Sequence, residues 1–403
     1  MVADRIGKDN RRKIFYLVMA LIFTDTILYG AIVPLIPIYM KNLQLTTSAI
    51  GAIFSAYAFG ILILSIPLGV MAEKYGYRKI FLAGMSALAL SCFFYGFMNS
   101  PGALLLCRFI QGAAGAASWT GGLAIAAVIY PDRQGEKIGL LMAVMGLGTI
   151  CGPPIGGFLY HLFGYKLMFG ILSLLCLILL FCIRLVSFAD LPAAKHSQIN
   201  INIFSTLSNA RVFWLSAIIV VLASIFGMLE VLMPNHMDGH FGLNTVEIGL
   251  CFGFMGIIHA VSDAFSGQLS DRYGYEIFVL GGLVFCAVSL PFLAWAPNIF
   301  TLLVVLSLVG AATGAAVTPS QPLLYRIITV QQGENNGGAG YIYGFYNTIY
   351  SIGMFLGPLL GGLLNRHFNL FGSLLFFAFL FGAGAVLFYF KVFIPEKKEK
   401  ILL

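Results

Sequence analysis

Residues 21–40 read LIFTDTILYGAIVPLIPIYM, an apolar run with a single carboxylate, Asp25, inside it. Asp25 lies twelve residues past Lys13, the last of the basic cluster Arg11, Arg12 and Lys13. At about 1.5 Å of rise per residue, that is roughly 18 Å into a hydrocarbon slab ~30 Å thick. A charge there costs at least ~2.5–3.5 kcal/mol, so it is expected to face a bundle interior, as a working group or as a polar cap on a neighbouring helix. Pro34 and Pro37 then interrupt the helical ladder. A broken helix within a bilayer must be covered by protein or by a water-filled cavity. Asp25 is therefore expected to line a cavity.

The rest of the chain is of the same kind. Of 403 residues, 60% are hydrophobic and 10% charged, against about 25% charged in soluble domains, and the mean hydropathy is +0.93. This is the composition of a polytopic membrane protein. Arg5 to Lys13 lead into the first apolar run without a small-residue cleavage site, so no cleavable signal is expected. The net charge of +7 sits in short loops and tails and implies no nucleic-acid partner. All seven cysteines fall inside apolar runs, so neither a disulfide framework nor a metal site is expected. No Gly-xxxx-Gly-Lys-Ser/Thr or His-Glu-xx-His pattern is present, which removes support for ATP-driven pumping and zinc proteolysis. No cofactor is expected, and no polar catalytic constellation points to an enzyme.

Hydropathy places twelve spans near 13–40, 48–72, 79–99, 101–130, 136–162, 166–188, 209–238, 244–271, 277–296, 298–329, 338–367 and 370–394. With the N-terminus inside, 19 Lys and Arg collect on the inner side. Only Lys41, Lys166 and Arg366 lie outside, and Arg108 is intramembrane. That bias predicts that both termini are cytoplasmic. The long polar connection from Ala189 to Ala210 predicts an N-terminal six-helix bundle at 1–190, a cytoplasmic linker at 191–208 and a C-terminal six-helix bundle at 209–403. The expected fold is an all-α membrane protein of two pseudo-symmetric six-helix bundles.

The halves repeat. Gly69-Val-Met-Ala-Glu73-Lys74-Tyr-Gly76-Tyr-Arg78 returns 198 residues later as Gly267-Gln-Leu-Ser-Asp271-Arg272-Tyr-Gly274-Tyr-Glu276. Gly148-xxx-Gly152-Pro153-xx-Gly156-Gly157 returns 205 residues later as Gly353-xxx-Gly357-Pro358-xx-Gly361-Gly362. Parallel six-span repeats are expected to place a substrate site between the halves near the midplane. The first repeat joins spans 2 and 3, and 8 and 9. Its charged residues Glu73, Arg78, Asp271 and Arg272 read either as a gating latch between the halves or as a positive-inside anchor. The second repeat, in spans 5 and 11, is small-residue helix packing with a bend at proline. The first pattern resembles the signature of the major facilitator superfamily, over the whole chain. The second resembles the antiporter motif of the twelve-span drug:proton antiporters, and only that resemblance implies a direction of transport.

Three further spans carry polar groups. Arg108, in Arg108-Phe-Ile-Gln111-Gly112-Ala-Ala-Gly115-Ala-Ala-Ser-Trp119, lies about seven residues, roughly 10 Å, in from the outer face. It is at nearly the depth of Asp25, so the two are expected to be linked by an ion pair or hydrogen bond, unless Arg108 only ties down backbone carbonyls. Glu230 in span 7 gives the second half its own acid. His259 and Asp263 in span 8 stand one turn apart, as a titratable pair or a structural one. Tyr29, Trp119, Phe226, Tyr346 and Tyr350 are aromatic candidates for a cation. Asp25 before Pro34, Met-Leu-Glu230-xxx-Pro234, Arg108 to Tyr160 and Tyr343 to Gly362 resemble the vesicular monoamine and acetylcholine transporters, in a prokaryote-like form with a short first loop. The chain departs from them at Thr318 and Asn347, where those proteins have carboxylates, and around Tyr57, where they have a lysine.

The resemblance implies a proton-coupled antiporter exporting organic cations, with protons as the coupling ion and a small cationic amine as substrate. It would work as a monomer in the cell membrane lipid bilayer. The other reading is a proton symporter or uniporter for a small metabolite on the same fold. The residue set for substrate and protons is Asp25, Glu230, Arg108, Asn347, Tyr350, His259, Asp263 and Trp119. For gating it adds Gly69 and Gly267 to the four charged residues of the first repeat. The charge asymmetry makes a topology prediction: reporters fused to either terminus of the full chain should be active only on the cytoplasmic side. An externally accessible terminus would overturn the orientation.

Overall fold

The computed structural model describes residues 7–130, 133–188, 206–332 and 339–395. The side chains of Glu73 and Tyr343, and most of the connection at 191–208, lie outside the described residues. Among the described residues the chain is all helix, without strands.

Among the described residues, nine helices are long and apolar enough to cross a membrane. Two of them, Glu136–Leu185 and Gly344–Phe393, have 50 residues each, against about 20 for one crossing. Each turns back where one residue takes positive φ: Gly164 at 71° in the first, Asn369 at 53° in the second. Each therefore crosses twice, giving spans 5 and 6 and spans 11 and 12. Pro101–Ile129 supplies span 4, so nine helices, two extra crossings and span 4 make twelve. Span 1 is interrupted as its prolines demand. It runs as Lys8–Gly30, a 3-10 turn Val33–Leu35 holding Pro34, and Ile36–Leu43 opening on Pro37. Large apolar side chains such as Leu162, Phe181, Phe265 and Phe379 point outward, as lipid-facing surfaces require.

Compact packing divides the chain into residues 1–197 with 237–253, and residues 198–236 with 254–403. In the first unit, glycines let backbones meet. A Cβ on Gly60 would lie 2.5 Å from the carbonyl of Phe109, and one on Gly112 would strike the carbonyl of Tyr57, so spans 2 and 4 touch backbone to backbone. The motif glycines of span 5 do the same against span 1: Gly148 meets Thr26, Gly152 meets Gly30, and Gly156 meets Ala31. Pro153 sits on Gly30. Gly157 faces the backbone of Thr245, and Gly253 faces Pro154, which places residues 237–253 in this unit.

The second unit repeats the scheme. A Cβ on Gly310 of span 10 would lie 3.0 Å from the carbonyl of Met255 on span 8. The pair is Gly112 and Tyr57 shifted by the same amount: 310 − 112 = 198 and 255 − 57 = 198. Gly353 and Gly357 pack on Val220 and Ser224, and Pro358 on Gly227. The loops agree too, with Gly76 at φ 93°, ψ 138° and Gly274 at φ 97°, ψ 137°. Only glycine adopts that conformation cheaply. The two repeats seen in sequence are thus repeats of packing.

The charges that follow these glycines find partners inside their own units. Arg78 donates to the carbonyl of Arg184 at the end of span 6, at 2.7 Å, where the negative end of the helix dipole lies. At the equivalent position the sign inverts: Glu276 is buried and pairs with Arg326 of span 10. Arg326 also covers the Tyr275 ring, whose hydroxyl donates to Asp271 at 2.9 Å. Arg272 is exposed.

The backbone contact between spans 2 and 4 predicts that Gly60→Val lowers stability by at least about 1–3 kcal/mol through overpacking. Gly281→Ala, with nothing within 4 Å of the added carbon, should leave it unchanged. Thermal melting of both variants in one detergent checks this; equal melting temperatures would refute the close approach.

Candidate functional site

Asp25 and Arg108 are both fully enclosed, each at 0% exposure. They are linked, but not as the depth match alone suggests. Among the described residues no ion pair joins them; Tyr57 of span 2 stands between. Its hydroxyl donates to Asp25 Oδ2 at 2.8 Å, and its ring lies 5.7 Å from the Arg108 guanidinium carbon. Phe54 and Tyr29 complete an aromatic cage around that guanidinium, at 4.7 and 5.3 Å. Arg108 also donates to the carbonyl of Tyr29 at 3.3 Å and to Gln111 at 3.5 Å. Trp119 reaches the same carboxylate as Tyr57. Gly115 leaves room for it, since a Cβ there would lie 2.8 Å from Asp25 Oδ2. Among the described residues, Asp25 Oδ1 and Arg108 Nε find no hydrogen-bond partner. The expectation that Asp25 lines a cavity is corrected here: the side chain is sealed by spans 2 and 4.

Tyr57 is the residue that reading the sequence for charges passes over. A signal did exist. Span 2 starts at Thr47 and span 4 at Pro101, on the same membrane face. Tyr57 is ten residues in and Arg108 seven, about 15 Å and 10 Å by helix rise. That shared depth brings the hydroxyl, the guanidinium and the carboxylate into one layer.

The second unit carries a different arrangement. Asp263 accepts from Thr318 of span 10 at 2.6 Å and faces His259 Nε2 at 3.3 Å. His259 Nδ1 lies 3.1 Å from the carbonyl of Gly310 and 3.2 Å from Thr313 Oγ1, and the Phe226 ring meets the imidazole edge-on at 4.9 Å. Tyr346 and Tyr350 of span 11 stack at 6.0 Å, and Tyr346 shares a hydrogen bond with Ser320 at 3.2 Å. Tyr350 feels both Asp263 and Glu230 electrostatically. The side chains of Asp263 and His259 are 34% and 19% exposed, whereas Glu230 is buried at 7%. Asn347 is half-buried nearby in sequence and accepts at its carbonyl from Ser351 at 2.8 Å. Span 8 therefore supplies a carboxylate at Thr318, the position where the resemblance to vesicular transporters implies an acid. All seven cysteines are unpaired.

Twelve spans in two repeated six-span sets, with polar groups held inside each set, define a secondary membrane transporter. The chain belongs to the Major Facilitator Superfamily, whose sequence model matches residues 15–337 and 218–402. It is 26% identical to the MFS-type transporter SLC18B1 of Rattus norvegicus, over 83% of this chain and 76% of the relative. It is 29% identical to the MFS-type transporter YuxJ of Bacillus subtilis (strain 168), over 88% and 92%. Among solved structures, a bacterial homologue of the human lysosomal transporter Spinster superposes with a TM-score of 0.80, at 14% identity, covering 96% and 97% of the two chains. The nucleoside transporter NupG gives 0.75 at 16% identity, covering 93% and 98%. The protein is a multi-pass transporter of small molecules, not an enzyme.

The Tyr57 bridge makes a graded prediction. Tyr57→Phe removes the hydrogen bond to a buried carboxylate, a loss of about 1.5–3 kcal/mol. Tyr57→Leu also removes a ring from the guanidinium cage, a further loss of up to about 2 kcal/mol. Melting temperatures should fall in the order native, Tyr57→Phe, Tyr57→Leu; equal values for native and Tyr57→Phe would refute the bridge.

Proposed function

We propose that the protein is a proton-coupled antiporter that exports organic cations, monoamines and amphipathic cationic drugs, by rocker-switch alternating access. The observation that carries this reading is the partly open acid Asp263, held by Thr318 and facing His259, in the same unit as the buried acid Glu230 and the stacked rings of Tyr346 and Tyr350. Acids and aromatic faces together suit a cation. The basic residue set deep within a span, Arg108, is enclosed by rings and backbone in the first unit and presents no charge to a ligand. Protons and the amine compete for the same carboxylates, which couples their movements. In this reading Glu230 binds the amine, Asp25 holds the corresponding charge in the first half, and the protein works as a monomer in the cell membrane with both termini cytoplasmic.

Exchange in this reading uses more than one proton per monovalent amine. Moving one charge against about 100 mV costs about 2.3 kcal/mol, and one returning proton recovers it. One-for-one exchange is therefore electroneutral, and a second proton adds the membrane potential to the driving force.

Inverted vesicles under a pH gradient should accumulate a fluorescent amine, and Glu230→Gln should reduce accumulation to that of vesicles without the protein. Undiminished accumulation by Glu230→Gln removes its role, and no accumulation by the native protein favours symport or uniport of a neutral metabolite. At fixed pH gradient, imposing a potential should raise the accumulation ratio; an unchanged ratio means one-for-one exchange.

A further inference from the structure

We propose that His259 and Asp263 form a one-proton store that gives up its proton when the cationic substrate arrives. The proposal rests on the antiport reading above and names the side chains that carry one of its protons.

The hydrogen-bond geometry fixes where the protons sit. A carbonyl oxygen can only accept, so His259 Nδ1, 3.1 Å from the Gly310 carbonyl, must carry a hydrogen. Thr313 is compatible with that direction. Its hydroxyl lies within donating distance of the carbonyls of Val309 and Gly310, at 3.0 and 2.9 Å, which leaves a lone pair for the imidazole. The variable proton is therefore at Nε2, which faces Asp263 Oδ2 at 3.3 Å. On the other carboxylate oxygen, Thr318 donates at 2.6 Å, which holds Asp263 as the acceptor of the pair. With the proton at Nε2 the pair is imidazolium and carboxylate, of net charge zero. Without it, a neutral imidazole and a carboxylate leave one negative charge.

The exchange then balances. The Nε2–H bond breaks, the proton goes to water, its bonding electron pair stays on Nε2, and a monovalent cation replaces the lost charge. Counted for this pair and the cation alone, the charge is zero before and after, so this proton and the cation exchange without a net change at the pair. The groups that face the pair are compatible with this. Span 7 brings the Phe226 ring, and span 11 brings Tyr346 and Tyr350, the second of which also feels Glu230. Among the described residues, span 10 brings Thr313, Thr318 and the Gly310 carbonyl, none of which titrates. Exposure separates this pair from the intramembrane acid of the first unit. Asp263 is 34% exposed and can exchange a proton with water, whereas Asp25 is sealed at 0%. The second proton-carrying site thus falls on span 8 rather than on span 1.

The test uses the full-length protein in lipid nanodiscs with 15N-labelled histidine, and ethidium as a permanently charged monovalent probe. The ring signals of His259 are assigned by their loss in His259→Gln, or by their shift in Asp263→Asn if the first variant does not fold. Nδ1 should keep its hydrogen whether or not Nε2 carries one, and saturating ethidium should strip the proton from Nε2. In weakly buffered medium, the protons released per bound ethidium should fall by one in either variant. An unprotonated Nδ1, an Nε2 unchanged by bound ethidium, or an unchanged proton count would overturn the proposal. Failure of the antiport reading looks different. Native protein would then show no pH-driven ethidium accumulation, while the pH titration of His259 still decides whether Nδ1 keeps its hydrogen as Nε2 loses its own.

Discussion

Close backbone approach at glycine is the constraint from which the rest of the structure follows. Spans 2 and 4 meet at Gly60 and Gly112, and spans 8 and 10 at Gly310 and Gly314. In lipid there is little hydrophobic gain from pressing two apolar helices together, so packing contacts and interhelical hydrogen bonds must hold them. Glycine provides both. It removes the side chain that would keep the axes apart, and it exposes a carbonyl to the neighbour. His259 bonds to the carbonyl of Gly310, Ser262 to that of Ala311 and Ser266 to that of Gly314. The chemistry of span 8 is positioned by the same glycines that pack it.

The two units use this scaffold differently. In the first, the approach of spans 2 and 4 encloses opposite charges in a dry layer. A guanidinium and a carboxylate there are costly unless each is surrounded by compensating groups. Tyr57 touches both at once, through its hydroxyl and its ring face. In the second unit the acid is left partly open, with a histidine on one side and a hydroxyl on the other. A sealed charge is suited to holding a structure, and an open one to exchanging with water and solute. Pseudo-symmetry of backbone thus carries asymmetry of polar arrangement, as fold-level likeness to other transporters does not dictate substrate.

The inverted charge in the repeated loops shows the same division. Arg78 and Glu276 occupy equivalent places after glycines of nearly identical conformation, yet one caps a helix end and the other pairs with an arginine. The turn is set by what the backbone permits, and the partner by what each bundle offers nearby.

Much of this was legible in the sequence. Run length and hydropathy fix the number of crossings, because a bilayer sets the helix length. Proline fixes the break in span 1, because it lacks an amide hydrogen and excludes the preceding turn. The 198- and 205-residue repeats fix the two six-span sets, because the same small residues must recur wherever two backbones meet. Charge spacing located Asp25, Arg108, Glu230, His259 and Asp263. Sequence could not say that Tyr57 joins Asp25 to Arg108, that Asp25 is sealed, or that Thr318 receives an acid from span 8. Those facts depend on which face each helix turns to its neighbour and on distances of a few ångströms between residues 32 to 83 positions apart. Only packing in three dimensions sets such distances.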